Sequence, residues 1–212
     1  MPQNAAPTLL GTMFRLFSVA YQPPTRELAE LVVNGALARD VCGVWEALEL
    51  DAASCEAFGA GLAGYAGRDA EDVLHELRRE NTRLFLGKRP LVENSEGPWR
   101  KKKQGSEVVA LMVNSYSTEV ADFMRYCGVV KAQGYNDCVD YIENECDFAG
   151  FLADQPAYLA EHGMDATELL ERFIDEHMKL WVDGFCADVL AETECPYYRA
   201  VCTLMRAFMA EF

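Results

Sequence analysis

Asp140, Glu143 and Asp147 fall at i, i+3 and i+7 of a segment whose Val139, Ile142, Cys146, Ala149 and Ala153 keep an apolar stripe. On one helix that spacing stacks three carboxylates on a face turned from the core. Two uses are open to such a row. It is either a solvated face or an acidic wall that receives guanidinium groups, since a bidentate Arg–carboxylate pair supplies geometry as well as charge. His177 sits between Phe173 and Trp181, with Phe185 following at the same four-residue interval. An aromatic stripe at that spacing faces a core, and its histidine reads as a core residue satisfied by one hydrogen bond. No Glu-x-x-His pair accompanies it, and His75 and His162 lack metal-ligand spacing. The chain also lacks a Gly-x-Ser-x-Gly elbow and a glycine-rich phosphate loop. The expectation is no catalytic residue, no cofactor site and no metal site.

The elements that must position these residues are helical throughout. From Thr8 to about Tyr21 apolar residues keep helical spacing, and Pro23-Pro24 ends the run. Thr25 caps the next helix, which has a possible break near Asp40. Four glycines between Ala53 and Gly67 predict a short or closely packed helix. Asp69 opens a stronger one, with Glu71 and Asp72 in the first turn where the macrodipole favours acid, and Gly87 stops it. Residues 88–105 hold Pro90, Gly97, Pro98 and the basic run Arg100-Lys101-Lys102-Lys103, and they read as the one long loop. Helices follow at roughly Glu107–Tyr126, Asn136–Ala153, Ala166–Ala191 and Pro196–Glu211. The fold class is therefore all-α. A single domain covers 1–212, with an N-terminal helical half at about 1–87, the loop, and a C-terminal half at about 106–212.

The chain of 212 residues is half hydrophobic and a quarter charged, with a formal net charge of −15. That is apolar enough to fold and long enough for a sizeable core. The charge disfavours nucleic acid, whose affinity depends on Lys and Arg displacing counterions, and it favours a cationic partner. The run Arg100 to Lys103 is either a solvated loop or a dock for an acidic partner. Eight cysteines without a Cys-x-x-Cys pair read as buried thiols in a reducing compartment. No apolar segment is long enough to span a bilayer and none resembles a cleaved leader, so a cytoplasmic location is expected.

Five motifs occur in a fixed order: Arg83-Leu84-Phe85-Leu86-Gly87, a Pro-containing loop, Asp140-Tyr141-Ile142-x-x-Glu145-x-x-Phe148, Phe173-x-x-x-His177-x-x-x-Trp181-x-x-x-Phe185 and Tyr197-Tyr198-Arg199-Ala200. With them the chain resembles the TorD/DmsD family of cytoplasmic chaperones for molybdoenzyme maturation, over a stretch from about residue 70 to the C-terminus. The resemblance implies a TorD-like all-α fold. It also implies binding of the twin-arginine signal peptide and the body of a molybdopterin-dependent reductase, held until its cofactor is inserted so that export is delayed, by a monomer or a helix-swapped dimer. In that family a Leu-Phe pair and an Asp-His pair are implicated in leader binding, which carries over to Leu84, Phe85 and Asp140. Tyr141 stands where the family usually has His, which removes a group titrating near neutral pH. Glu93, Ser95 and Trp99 loosely match the acidic, serine and aromatic positions of the family's loop.

Physically, Asp140, Glu143 and Asp147 can pair the arginines, while a groove lined by Leu84, Phe85 and Tyr141, with Trp99 nearby, takes up the apolar segment. Asp140 is expected at an exposed first turn, so that Asp140→Asn weakens leader binding without harming the fold. The competing reading is a helical ligand-sensing or protein-interaction module unrelated to export. It would need a basic helix-turn-helix for a regulator, and neither terminus supplies one.

Overall fold

The computed structural model describes residues 7–86, 90–105, 114–130 and 138–212. Gly87 and the expected helix starts at Glu107 and Asn136 lie outside them. The described residues form α-helices and short 3₁₀ turns, without a strand among them beyond one isolated bridge, Ser95 to Tyr141. The all-α expectation holds.

The chain divides into two units, each drawn from separate stretches of sequence. One unit comprises 1–18 with 93–182, the other 19–92 with 183–212.

The second unit contains α2 (Arg26–Val33), α3 (Ala36–Ala47), α4 (Ala52–Leu62), α5 (Ala70–Phe85), α11 (Val182–Glu192, from Asp183 on) and α12 (Pro196–Met209), with the last turn of α1 (Leu9–Tyr21). Thr25 caps α2 through its side chain, and Asp69 caps α5 by accepting from the amides of Glu71 and Asp72. The expected break near Asp40 is absent, because the chain turns earlier, at Gly35 with φ of 71°, and α3 then runs unbroken. The glycine-rich α4 packs closely, as predicted: a Cβ on Gly61 would stand 3.0 Å from the Cβ of Ala200 on α12. Cys42 on α3 and Cys55 on α4 form a disulfide, which corrects the reading of all eight cysteines as free thiols. Helical periodicity shows that both residues face inward but not that they face each other.

The first unit contains most of α1, then α6 (Glu96–Lys103), α7 (Ser115–Tyr126), α8 (Ile142–Asp154), α9 (Pro156–Glu161) and α10 (Ala166–Glu176). The expected loop at 88–105 is thus shorter, because 96–103 form a helix. Pro98 occupies its first turn, where a missing N–H costs nothing, and the basic run completes its C-terminal turn, where the macrodipole favours cations. The expected long helix Ala166–Ala191 is also broken. His177 (φ −125°, ψ −77°) ends α10, a 3₁₀ turn follows at Met178–Leu180, and Trp181 (φ −145°, ψ −28°) precedes α11. α1 and α8 approach closely at two glycines, since a Cβ on Gly150 would lie 3.2 Å from the carbonyl oxygen of Gly11. Asp154, 2% exposed, seals that crossing by accepting from the Thr8 amide at 2.7 Å and from Arg15 Nε at 3.0 Å.

Candidate peptide-binding site

The start of α8 is fixed by a knot of buried polar groups, and Asp140 is part of it. Extended backbone at 94–96 pairs with 140–142: the Glu96 amide donates to the Asp140 carbonyl at 2.9 Å and the Ile142 amide to the Asn94 carbonyl at 3.0 Å. Asp140 Oδ2 accepts from the Gly97 amide at 2.9 Å. Only glycine fits there, because a Cβ on Gly97 would meet the Asn114 side chain at 2.3 Å. Glu96 accepts from Arg100 Nη1 at 2.6 Å and from His177 Nδ1 at 3.0 Å. Trp181 Nε1 donates to Glu145 Oε2 at 2.9 Å.

Glu96, Asp140 and Glu145 are wholly buried. Burial, and then the neighbouring Glu96 carboxylate, hold the Glu145 carboxyl well above the usual range, with the Trp181 bond pulling the other way. Burial also raises Asp140, against the lowering effect of the Gly97 amide. His177 is the core histidine with one hydrogen bond that its spacing predicts. The sequence missed Glu96 as its partner and Glu145 as the partner of Trp181, and the helix breaks between the two residues these acids bond.

This geometry corrects the expected acidic row. α8 begins at Ile142 with Tyr141 as its N-cap, so Asp140 precedes the helix, points into the knot and is buried instead of exposed. Glu143, half-buried, lies in the first turn of α8, and Asp147 is exposed 3.6 Å from Arg15. Tyr141 and Trp99 are half-buried, with the Trp99 ring 6.4 Å from that of Trp181. Leu84 and Phe85 belong to the other unit and are buried: Phe85 packs on Phe185 and Tyr198, and the Leu84 carbonyl accepts from the Val92 amide.

Within the first unit, α7 and α8 enclose a cavity of about 540 Å³. Met124, Val129, Val130, Val139, Phe148 and Phe151 supply its apolar lining. Asp147, Asn144 and Arg125 add polar groups. Of the residues expected at a binding site only Asp147 lines this cavity. A second cavity of about 520 Å³ lies on the other side of α7, toward the end of α10. The apolar pair Phe123 and Met124 on α7 is the sequence signal, Met124 lining the first cavity and Phe123 the second. Among the described residues no cluster of His, Cys, Asp and Glu can hold a metal ion, and no helix is long and apolar enough to cross a membrane.

No curated protein matches the chain. The family model described as nitrate reductase delta subunit matches residues 48–187, which takes in α4 to α10, the buried knot and both cavities, and stops short of Tyr197-Tyr198-Arg199-Ala200. The match begins earlier than the motifs alone suggest, in the glycine-rich segment before α5. The chain therefore belongs to the nitrate reductase delta subunit family, whose members are TorD-type molybdoenzyme maturation chaperones and not enzymes.

Proposed function

We propose that this chaperone binds the twin-arginine leader of a molybdoenzyme catalytic subunit in the cytoplasm, and holds the apo-enzyme until its cofactor is inserted, so that export is delayed. The observation that carries this reading is the cavity between α7 and α8, apolar inside and with Asp147 on its wall. A leader offers consecutive arginines followed by a short apolar segment, and the cavity matches that pairing of chemistries. The net charge of −15 steers such a cationic peptide toward the surface. Glu143 and Asp147 act as acids near the peptide, Tyr141 and Trp99 flank it, and Asp140 works by fixing the start of α8. Leu84 and Phe85 maintain the packing of their own unit. The family name makes a nitrate reductase the first client to examine.

Calorimetric titration with a leader peptide tests the proposal, beside one control with both arginines replaced by glutamine and another with the apolar segment made polar. Micromolar binding weakened by either change, and by salt for the arginine-dependent part, is expected, because ordering a flexible peptide consumes several kcal/mol of the gross interaction. Equal affinity for all three peptides would reject the reading.

A further inference from the structure

The cavity between α7 and the C-terminal end of α10 is not used by the apolar-segment reading above, and its chemistry is specific. Phe123 forms its floor, with the ring in edge contact with Phe173 and His177. Glu119, Asp122 and the exposed Tyr126 line it from α7, and Arg172 and Glu176 from α10.

Three independent features select a guanidinium as its occupant. The first is a built-in example: Arg172 lies over the Phe123 ring with Cζ 4.8 Å from the centroid, and its Nε pairs with Glu176 at 3.1 Å. The cavity thus already holds a planar cation by stacking and carboxylate pairing. The second is an unused acceptor. His177 is 4% exposed and lines the cavity, its Nδ1 is held by Glu96, and its Nε2 has no hydrogen-bond partner among the described residues. With the proton on Nδ1, Nε2 accepts an N–H from a ligand. The third is unbalanced negative charge. Glu119 has no ion-pair partner among the described residues, and Asp122 pairs only with Arg125 of its own helix. The C-terminal end of α10 adds the negative end of a helix dipole, whereas its Asp175 and Glu176 are already paired, with Lys179 at 2.6 Å and Arg172 at 3.1 Å. A metal is not the match, since no described cluster can hold one.

We propose that this cavity receives an arginine side chain of the client leader, with Glu119 and Asp122 pairing the guanidinium, the exposed Tyr126 ring flanking its plane, and His177 Nε2 accepting one N–H. The inference rests on the leader-binding reading and adds the subsite for the arginine. The two cavities have lining rings in contact, because Phe123 of this one and Phe148 of the apolar one meet edge to face with centroids 6.0 Å apart. An arginine and the apolar segment that follows it therefore find adjoining seats. Arginine is preferred over lysine, because only the planar fork can stack and pair at once.

A double-mutant cycle tests this, using the full chain as wild type and Glu119→Gln, and leader peptides with Arg-Arg, Lys-Lys and Gln-Gln at the twin position. Glu119 is exposed and makes no described ion pair, so its replacement leaves the fold in place, which thermal unfolding checks. The wild type is expected to prefer Arg-Arg over Gln-Gln, and Glu119→Gln to lose about three- to tenfold of affinity for Arg-Arg but little for Gln-Gln. A wild type that prefers Arg-Arg, with that preference intact in both Glu119→Gln and Asp122→Asn, overturns the subsite and leaves leader binding standing. A wild type indifferent to all three peptides overturns both.

Discussion

Trp181 donates its indole N–H to Glu145 at 2.9 Å, and the two side chains, 1% and 0% exposed, hold the segment after α10 against α8. Glu145 also faces Glu96, and together with burial this raises its carboxyl well above the ordinary range. A raised carboxyl means that the folded state binds more protons than the unfolded one. The contribution to stability is then complete below the unfolded value of about 4.3 and is lost as pH rises through the folded value. Glu145→Gln copies the protonated form and should remove that loss. Urea midpoints from about pH 4 to 9 should show the variant gaining on the wild type as pH rises. Parallel curves would mean that Glu145 does not titrate between folded and unfolded states in this window.

Asp140 should behave as a structural acceptor. Asp140→Ala leaves the buried Gly97 amide without its 2.9 Å partner and should cost about 2 kcal/mol, the usual penalty for an orphaned buried donor. Asp140→Asn keeps an acceptor and should cost less than about 1 kcal/mol, with leader affinity changed less than about twofold. Denaturant unfolding and calorimetry on both variants decide between this and direct pairing with the leader, which would cost Asp140→Asn far more in binding than in stability.

The helix starts at Thr25, Asp69 and Pro196 were legible in the sequence because a cap depends on groups two or three residues away. The aromatic spacing from Phe173 to Trp181 was legible as a buried stripe, but not as a broken helix. Glu96, 81 residues from His177 in sequence, and Glu145, 36 residues from Trp181, bond the two residues at the break, and no local pattern encodes those bonds. The acidic row failed for a related reason. The i, i+3, i+7 count assumes that Asp140 is already helical, whereas its carbonyl is committed to the Glu96 amide and its carboxylate to Gly97. Loop composition at 96–103 concealed a helix because Gly97 and Pro98, read as turn-formers, sit in its first turn. Gly97 is required there by the closeness of Asn114.

The Cys42–Cys55 disulfide closes a short loop between α3 and α4, with a sequence separation of 13. In the chain-entropy view, closing a loop of that size restricts the unfolded state by about 3 kcal/mol. Reduction, or Cys42→Ser with Cys55→Ser, should lower the unfolding midpoint by a corresponding amount. The six remaining cysteines are already thiols and are buried, so reduction of the native protein adds two thiols, Cys42 and Cys55, which mass spectrometry after alkylation can count. An unchanged midpoint after verified reduction would show that the bond contributes nothing to the fold.

Val130 offers the cleanest probe of the apolar cavity, because it lines the cavity while remaining 72% exposed. Truncating Phe148 would disturb a side chain only 3% exposed and packed against Phe123 and Phe173, so lost binding there could reflect lost structure. Val130→Asn alters the cavity lining without opening the core, and stability should stay within about 0.5 kcal/mol. If the leader's apolar segment covers this side chain, the substitution forfeits at most about 1.5 kcal/mol of burial, or roughly a tenfold weaker complex. The loss should be nearly independent of salt, in contrast to substitutions at Glu119, whose effect is electrostatic and shrinks as ionic strength rises. Titrations of both variants at two salt concentrations separate the contributions: a Val130→Asn loss that vanished with salt would remove the apolar segment from this cavity.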